Sequence, residues 1–541
     1  MRPRAGSWPK LFFVTIATAA PASSPRTPHN RVMPPAPRAY TWGKADWIST
    51  GIIAVLALIT RFVGLTAPVS QGTPVFDEKH YAPQAWDMVK SWDNLFIGGI
   101  ETNPGFGLVV HPPLGKQIIA LSEWVFGYTP LGWRLITALF GVATVLMTMA
   151  LARRLSFSWQ VATFAGILAV CDGVLLVSAK FGMLDIFQVF FIVAAAWALA
   201  RDHQQMRERL HDALLSGGMG ASPFGPRFGF RWWRFTAGVF LGLSLAVKWS
   251  GLYYIMFFGL LCVFSDLALR RKYGIRRYIV GTLIRDTPAA LASLVAMPVM
   301  IYVWSWRAWF ASETAVYRHA KVDGTIGEDS WLMHLPEPVA GWFYYHLSVL
   351  DFHASLTSSG GHHHPWDSKP WAWLAGARPI LYYSSTDLEC SGGGECRKML
   401  YLFGTPAIWW LVVPAVLWGL WSLIIRRNRA FLIPLVGFAA GFLPWLAAFD
   451  RQMYFFYATA FIPFVIVLLA LALGQMVGHG KPIRWRWITR IAGGTMRRGT
   501  FAAACYLALV VAMFFYFAPI LYGFIIPESW YQSMMWLPSW K

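Results

Sequence analysis

The sequence predicts an all-α polytopic membrane protein, and three observations predict it. Of 541 residues, 56% are hydrophobic and only 13% are charged, with a mean hydropathy of +0.46; a soluble domain carries about a quarter charged residues. Apolar runs of about 18 residues or more recur along the chain, the length at which a helix crosses a bilayer. The 30 Trp and 20 Tyr suit the aromatic belts at the two membrane interfaces. A water-soluble core cannot absorb this much apolar sequence.

The runs fall at 46–65, 130–151, 159–178, 181–200, 233–247, 249–268, 286–304, 405–425, 430–448, 454–474 and 501–524, about eleven spans. The net charge of +20 is not a nucleic-acid signature, because Lys and Arg concentrate in short links between spans and no readable basic module is present. With the N-terminus in the cytoplasm, the inner segments hold about 30 of the 46 basic residues and the outer segments about 18 of the 26 acids. An odd number of spans leaves the C-terminus outside.

Residues 1–45 read as a disordered, Pro-rich cytoplasmic tail. Within it LFFVTIATAAPASS has the layout of a short signal peptide, but cleavage would reverse every later loop against the charge bias. Residues 46–304 form a transmembrane catalytic half that includes a first outer loop, 66–129. A second outer loop occupies 305–404, and 405–541 holds the C-terminal spans and an outer tail. Loops of this length are usually functional. Stretches 81–96 and 112–126 of the first loop are periodic enough to lie as helices along the membrane surface. No internal repeat is visible, which disfavours a transporter.

Chemistry concentrates in the outer segments. PVFDEKHYA (74–82) sets Asp77 beside Glu78 beyond the first span. A solvated acid pair, or a cap for the following helix, is the plain alternative to a catalytic role. In HPPLGK, two prolines set a helix entry bracketed by His111 and Lys116, an arrangement suited to an anion or to a snorkelling Lys. Arg61, Arg134, Asp172, Lys180, Asp185 and Lys248 lie in or at the outer ends of spans, where charge is costly and often functional. Together they place basic groups at the depth of a lipid phosphate.

The second outer loop offers His346 and His353 in WFYYHLSVLDFH. Its HHH run, 362–364, lacks the flanking ligands of a metal site, and no metal is expected. Cys390 and Cys396 lie in the same extracytoplasmic loop, where a disulfide is expected. Cys171, Cys262 and Cys505 read as packing residues.

RFVGLTAPVSQGTPVFDEKHYA followed by HPPLGK resembles the protein O-mannosyltransferase family, the dolichyl- or polyprenyl-phosphate-mannose–protein mannosyltransferases. GMLDIF, GLSLAVKWSGLYY, PWDSKPWAW and RPILYY look like further blocks in family order, from about 58 to 465. Charge, Trp content and the tail suit an actinobacterial type. The resemblance implies a glycosyltransferase C fold, a polyprenyl-phosphate-mannose donor entering from the bilayer, and Ser or Thr acceptors on exported proteins at the outer face of the cytoplasmic membrane. It departs from the eukaryotic members in one respect: residues 305–404 are too few to hold their β-trefoil (MIR) insertion.

On that reading Asp77 is the general base of an inverting transfer and Glu78 its helper. Arg134, with Lys116 and Lys248, holds the donor phosphate. His111, His346, His353 and Asp185 contact sugar or acceptor. No cofactor is expected beyond the lipid-linked donor. A transferase acting on a cell-wall glycan or lipid is the alternative within the same fold.

Overall fold

The computed structural model describes residues 34–67, 73–94, 96–101, 110–483, 485, 487, 490 and 495–541. The expected disordered tail lies outside the described residues as far as position 33. Its last part is tied down: Arg153 donates to the Thr41 carbonyl at 2.6 Å, and the Arg154 guanidinium lies 3.5 Å from the centre of the Tyr40 ring.

In chain order the first helices are α1 (Lys44–Phe62), α2 (Glu78–Lys90), α3 (Leu114–Phe126), α4 (Pro130–Ser156), α5 (Trp159–Val170), α6 (Gly173–Lys180), α7 (Asp185–Leu215), α8 (Trp232–Val247), α9 (Gly251–Lys272) and α10 (Tyr278–Arg285). They are followed by α11 (Thr287–Ser305), α12 (Glu337–Ser355), α13 (Pro406–Ile424), α14 (Arg429–Leu446), α15 (Ile462–Met476) and α16 (Arg498–Tyr522). Among the described residues, eight helices are long and apolar enough to cross a bilayer: α1, α4, α7, α9, α11, α13, α14 and α16. The bent pair α5–α6 and the shorter apolar helices α8 and α15 account for the remaining expected runs. The run at 454–474 becomes helical only at Ile462, because 455–460 winds as a 3₁₀ segment and Pro463 is placed to start the helix.

Packing follows from residue size. The alanine-rich middle of α7 is buried on all sides, with Ala194, Ala195, Ala196 and Ala198 fully enclosed. Small residues let helices approach closely where no hydrophobic effect drives them together. Gly238 of α8 shows the limit: a Cβ there would sit 1.7 Å from the Ser293 carbonyl oxygen of α11. That carbonyl lies in a π-helical turn, Ala292–Ala296, just before Pro298. A proline with no N–H accounts for the widened turn.

Several charges expected near a lipid phosphate instead satisfy backbone. The chain bends by 60° between α5 and α6. Arg61 donates to the freed carbonyls of Val170 (3.0 Å) and Ala169 (2.9 Å). Asp172 caps α6 through Leu175 N at 2.8 Å and accepts from Trp409 Nε1 at 2.7 Å. Lys180 donates to the Val63 carbonyl, with its ammonium over the Tyr522 ring. A helix break inside a membrane must be satisfied by protein, and these residues do that.

The second outer loop adds a feature that the apolar pattern does not signal. A three-stranded antiparallel sheet runs in the order β1 (Ile380–Glu389), β2 (Glu395–Leu402) and β3 (Ile525–Pro527). The expected disulfide is present: Cys390 and Cys396 join across the β1–β2 turn with Cα atoms 5.2 Å apart. Both large loops meet at this point, since the Phe76 ring stacks on Tyr382 of β1 at 4.2 Å.

Candidate active site

The acid pair is parted by its backbone. Phe76 adopts φ +49°, a left-handed conformation costly for an aromatic residue and a feature of strained functional sites. The stacked Tyr382 holds its ring. The chain then turns into α2, with Glu78 N bonded to Val75 O and Lys79 N to Phe76 O, both at 3.1 Å. Two adjacent residues at a helix start point in different directions, so the two carboxylates meet different surroundings.

Glu78 points inward and is fully enclosed, as is Arg134 of α4 (both 0% exposed). Its carboxylate accepts from Arg134 Nε (2.7 Å) and Nη2 (2.6 Å), Gly182 N (2.7 Å) and Val75 N (3.0 Å). Arg134 Nη1 donates to the Leu65 carbonyl at 3.2 Å, and its guanidinium lies over Phe181. This bidentate pair ties the end of α1, the start of α2, α4 and the α6–α7 turn together. Arg134 has no fork left for a phosphate, contrary to the expectation from sequence.

Lys116 is likewise occupied. It lies buried in the first turn of α3 and pairs with Glu101 at 2.6 Å. Lys248 differs. It sits in extended backbone at the break between α8 and α9, which Gln188 of α7 braces through the Lys248 carbonyl (3.0 Å) and Ser250 Oγ (3.0 Å). Its ammonium pairs with Asp185, the first residue of α7, at 2.8 Å, and both side chains keep about a tenth of their surface exposed. Asp185 is therefore the partner of Lys248, an ion pair that the sequence reading did not anticipate.

Asp77 is half-buried beside this pair, and its carboxylate makes no hydrogen bond or ion pair among the described residues. Burial pushes its carboxyl up to about 6, against the opposing pull of Lys248 and His80; Asp185 adds to the rise. A carboxylate with a value near working pH is suited to general-base chemistry.

Histidines form the opposite wall. His111 lies 5.9 Å from the Tyr81 ring and 6.4 Å from His353, centroid to centroid. Burial, with the cations Lys248, Lys116 and Arg451 and the neighbouring His353, holds His111 well below the usual imidazole range. His353 of α12 is lowered to about 4, chiefly by burial and then by Arg451. Both are neutral at physiological pH. His346 ends a directed chain of hydrogen bonds: Trp249 Nε1 donates to Tyr302 Oη (2.8 Å), Tyr302 donates to His346 Nε2 (2.6 Å), and His346 Nδ1 donates to the Trp342 carbonyl (2.6 Å). Both of its nitrogens are used, so His346 braces Trp249 against α12.

Arg451, which the sequence reading passed over, belongs to this wall. It donates to His353 Nδ1 (3.0 Å) and to the His353 carbonyl (3.3 Å), and it has no carboxylate partner among the described residues. The available signal was a lone Arg in DRQMYFFY, between two spans. The His362–His364 run is exposed, and among the described residues no group of His, Cys, Asp and Glu could hold a metal ion.

A helical membrane bundle whose first large loop carries Asp77, an acid with no hydrogen-bond or ion-pair partner among the described residues, has the architecture of the glycosyltransferase C fold class. The comparisons agree. Residues 51–310 match the family profile described as dolichyl-phosphate-mannose-protein mannosyltransferase, and 338–540 match the C-terminal four-span region of protein-O-mannosyltransferase. The chain is 64% identical to a polyprenol-phosphate-mannose–protein mannosyltransferase of Corynebacterium glutamicum, over 94% of this chain and 96% of the relative. A protein of that description from Mycobacterium tuberculosis is 45% identical, over 92% of each. The solved Saccharomyces cerevisiae protein O-mannosyltransferase Pmt1–Pmt2 complex bound to the sugar donor superposes with a TM-score of 0.68 at 15% identity, over 93% of each chain. The chain belongs to the dolichyl-phosphate-mannose-protein mannosyltransferase family, and it is a multi-pass membrane glycosyltransferase.

Proposed function

We propose that the enzyme moves mannose from polyprenyl-phosphate-mannose to Ser and Thr hydroxyls of exported proteins, at the outer face of the cytoplasmic membrane, with inversion at the anomeric carbon. The observation that carries this reading is the division of labour between the acids: Glu78 is saturated by four donors, whereas Asp77 is uncommitted and raised to about 6. Mannosyl transfer by the relatives named above, as their descriptions state, supports the donor and the protein acceptor. The basic segments between spans support an outer active site and a cytoplasmic N-terminus.

In the proposed step the acceptor oxygen bonds to C1 as the bond from C1 to the phosphate oxygen breaks. The hydroxyl proton passes to Asp77, and the polyprenyl phosphate leaves with the electron pair. A phosphate monoester is a stable leaving anion, so no strong general acid is needed. Lys248, which sequence alone already placed at the phosphate, and Arg451 receive its developing charge; Arg451 takes the role that sequence gave to Arg134 and Lys116. Neutral His111 and His353 offer hydrogen bonds to sugar or acceptor hydroxyls. Asp185 orients Lys248, and Glu78 positions Asp77 through Arg134. The step requires no metal or further cofactor.

The test supplies labelled polyprenyl-phosphate mannose to membranes together with a Thr-containing peptide and a cell-wall glycan in competition. Label in the peptide is the expected result. Label in the glycan alone overturns the protein-acceptor reading.

A further inference from the structure

A cavity of about 620 Å³ opens beside the C-terminal end of α9, among α7, α9 and α14. Lys248 stands before the other end of the same 22-residue helix, so the basic end of the cavity, at Lys272, lies roughly 33 Å along the helix from the active site, toward the opposite membrane face. Six cations and two carboxylates line it. The carboxylates are taken: Arg231 Nε donates to Asp202 at 2.9 Å and Arg234 Nη1 to Asp266 at 2.7 Å. Arg154 reaches Gln204 at 3.0 Å and covers Tyr40.

Arg207, Lys272 and Arg429 remain, with no carboxylate partner among the described residues. Arg207 and Arg429 stand close enough to Lys272 to repel its charge. Like charges gathered in this way call for an anion. The adjoining wall is apolar: Leu260 and Phe264 of α9 are exposed along it, with Ile433 and Val436 of α14 opposite. A site for a bare phosphate would need no such wall and far less room, since a water molecule takes up about 30 Å³.

We propose that this cavity binds the phosphate head group of an anionic phospholipid in the leaflet opposite the active site. Arg207, Lys272 and Arg429 hold the phosphate, and the acyl chains run along Leu260 and Phe264. Basic pockets between membrane helices recognise anionic head groups in this way.

The test is native mass spectrometry on the full-length protein in non-ionic detergent, titrated with phosphatidylglycerol, phosphatidylcholine or inorganic phosphate. The wild type should retain phosphatidylglycerol in preference to phosphatidylcholine, and inorganic phosphate should not displace it. Combining Arg207→Gln, Lys272→Gln and Arg429→Gln should weaken retention by roughly tenfold to a hundredfold. Lys272→Gln alone, at an exposed helix end, should weaken it severalfold and keeps the test decisive if the triple variant misfolds. Mannosyl transfer in detergent verifies that each variant is folded. Equal retention by wild type and variants, equal retention of phosphatidylcholine, or displacement by inorganic phosphate overturns the proposal.

Discussion

At one end of α9, three carboxylates hold three cations. Glu78 binds Arg134, Glu101 binds Lys116 and Asp185 binds Lys248, while Asp77 and, across the site, Arg451 have no ion-pair partner among the described residues. At the other end, arginines hold the carboxylates and cations are left over. Asp202 and Asp266 are bound by Arg231 and Arg234, while Arg207, Lys272 and Arg429 are unmatched. Glu78, Arg134, Lys116, Arg231 and Arg234 are nearly fully buried with their partners, which offsets the cost of desolvating their charges. Asp77, Arg207, Lys272 and Arg429 are partly exposed, which lowers that cost. On the readings proposed above, the charge without an ion-pair partner at each end, rather than the mere presence of charge in a span, is the part that meets a substrate or lipid.

That contrast can be broken most sharply at Asp77. Asp77→Asn should reduce transfer by about 10² to 10⁴-fold, the usual contribution of a positioned base, while donor binding survives; transfer to a Thr peptide from labelled donor measures it. Glu78→Ala should instead unfold the site. It leaves Arg134 buried without a counter-charge, a loss of about 3–5 kcal/mol, visible as a lower melting temperature in detergent. Replacing both residues with Met should cost less than either single change.

Lys248→Ala should slow transfer by roughly 10²-fold through the lost phosphate contact. Because Lys248 pulls the Asp77 value down, its removal should also move the rise of the rate profile to higher pH. In the wild type that rise should centre near pH 6, since Asp77 must be ionised to accept a proton. The sign of the stability effect is opposite. Asp77 binds its proton more tightly in the folded protein than in the unfolded chain, so its contribution is full below about pH 4 and is lost as pH climbs through about 6. Asp77→Asn is therefore expected to be more stable than the wild type at neutral pH, by about 1–3 kcal/mol. Thermal unfolding of the two proteins at pH 4.5 and pH 7.5 checks this, with the gap widening at the higher pH.

Much of this architecture was legible in the sequence because a bilayer imposes a length and a hydropathy on each span. The eleven apolar runs, the two long loops and the Cys390–Cys396 bridge could all be read from it. The sheet could not, because β1 lacks a clean alternation of buried and exposed residues and the third strand, three residues at 525–527, comes from the far end of the chain. At the site, the sequence singled out Asp77 and Lys248 as candidates but gave no view of partners. Charge near a span end looks the same whether it faces a phosphate, as proposed for Lys248, or a backbone carbonyl, as with Arg61 and Lys180. Arg134 misled for that reason, since its acid lies 56 positions earlier in the chain. Arg451 was missed because the side chain it hydrogen-bonds, His353, lies 98 positions earlier in the chain.

The left-handed turn at Phe76 bears on how this segment can change over time. Asp77 and Glu78 are neighbours, and only their angular offset about the axis of α2 decides which one Arg134 captures. Gaining or losing a single residue between Phe76 and Tyr81 would rotate the start of that helix by about 100° and hand the arginine the wrong acid. A substitution here disables one acid at a time, whereas a change of length exchanges the roles of both.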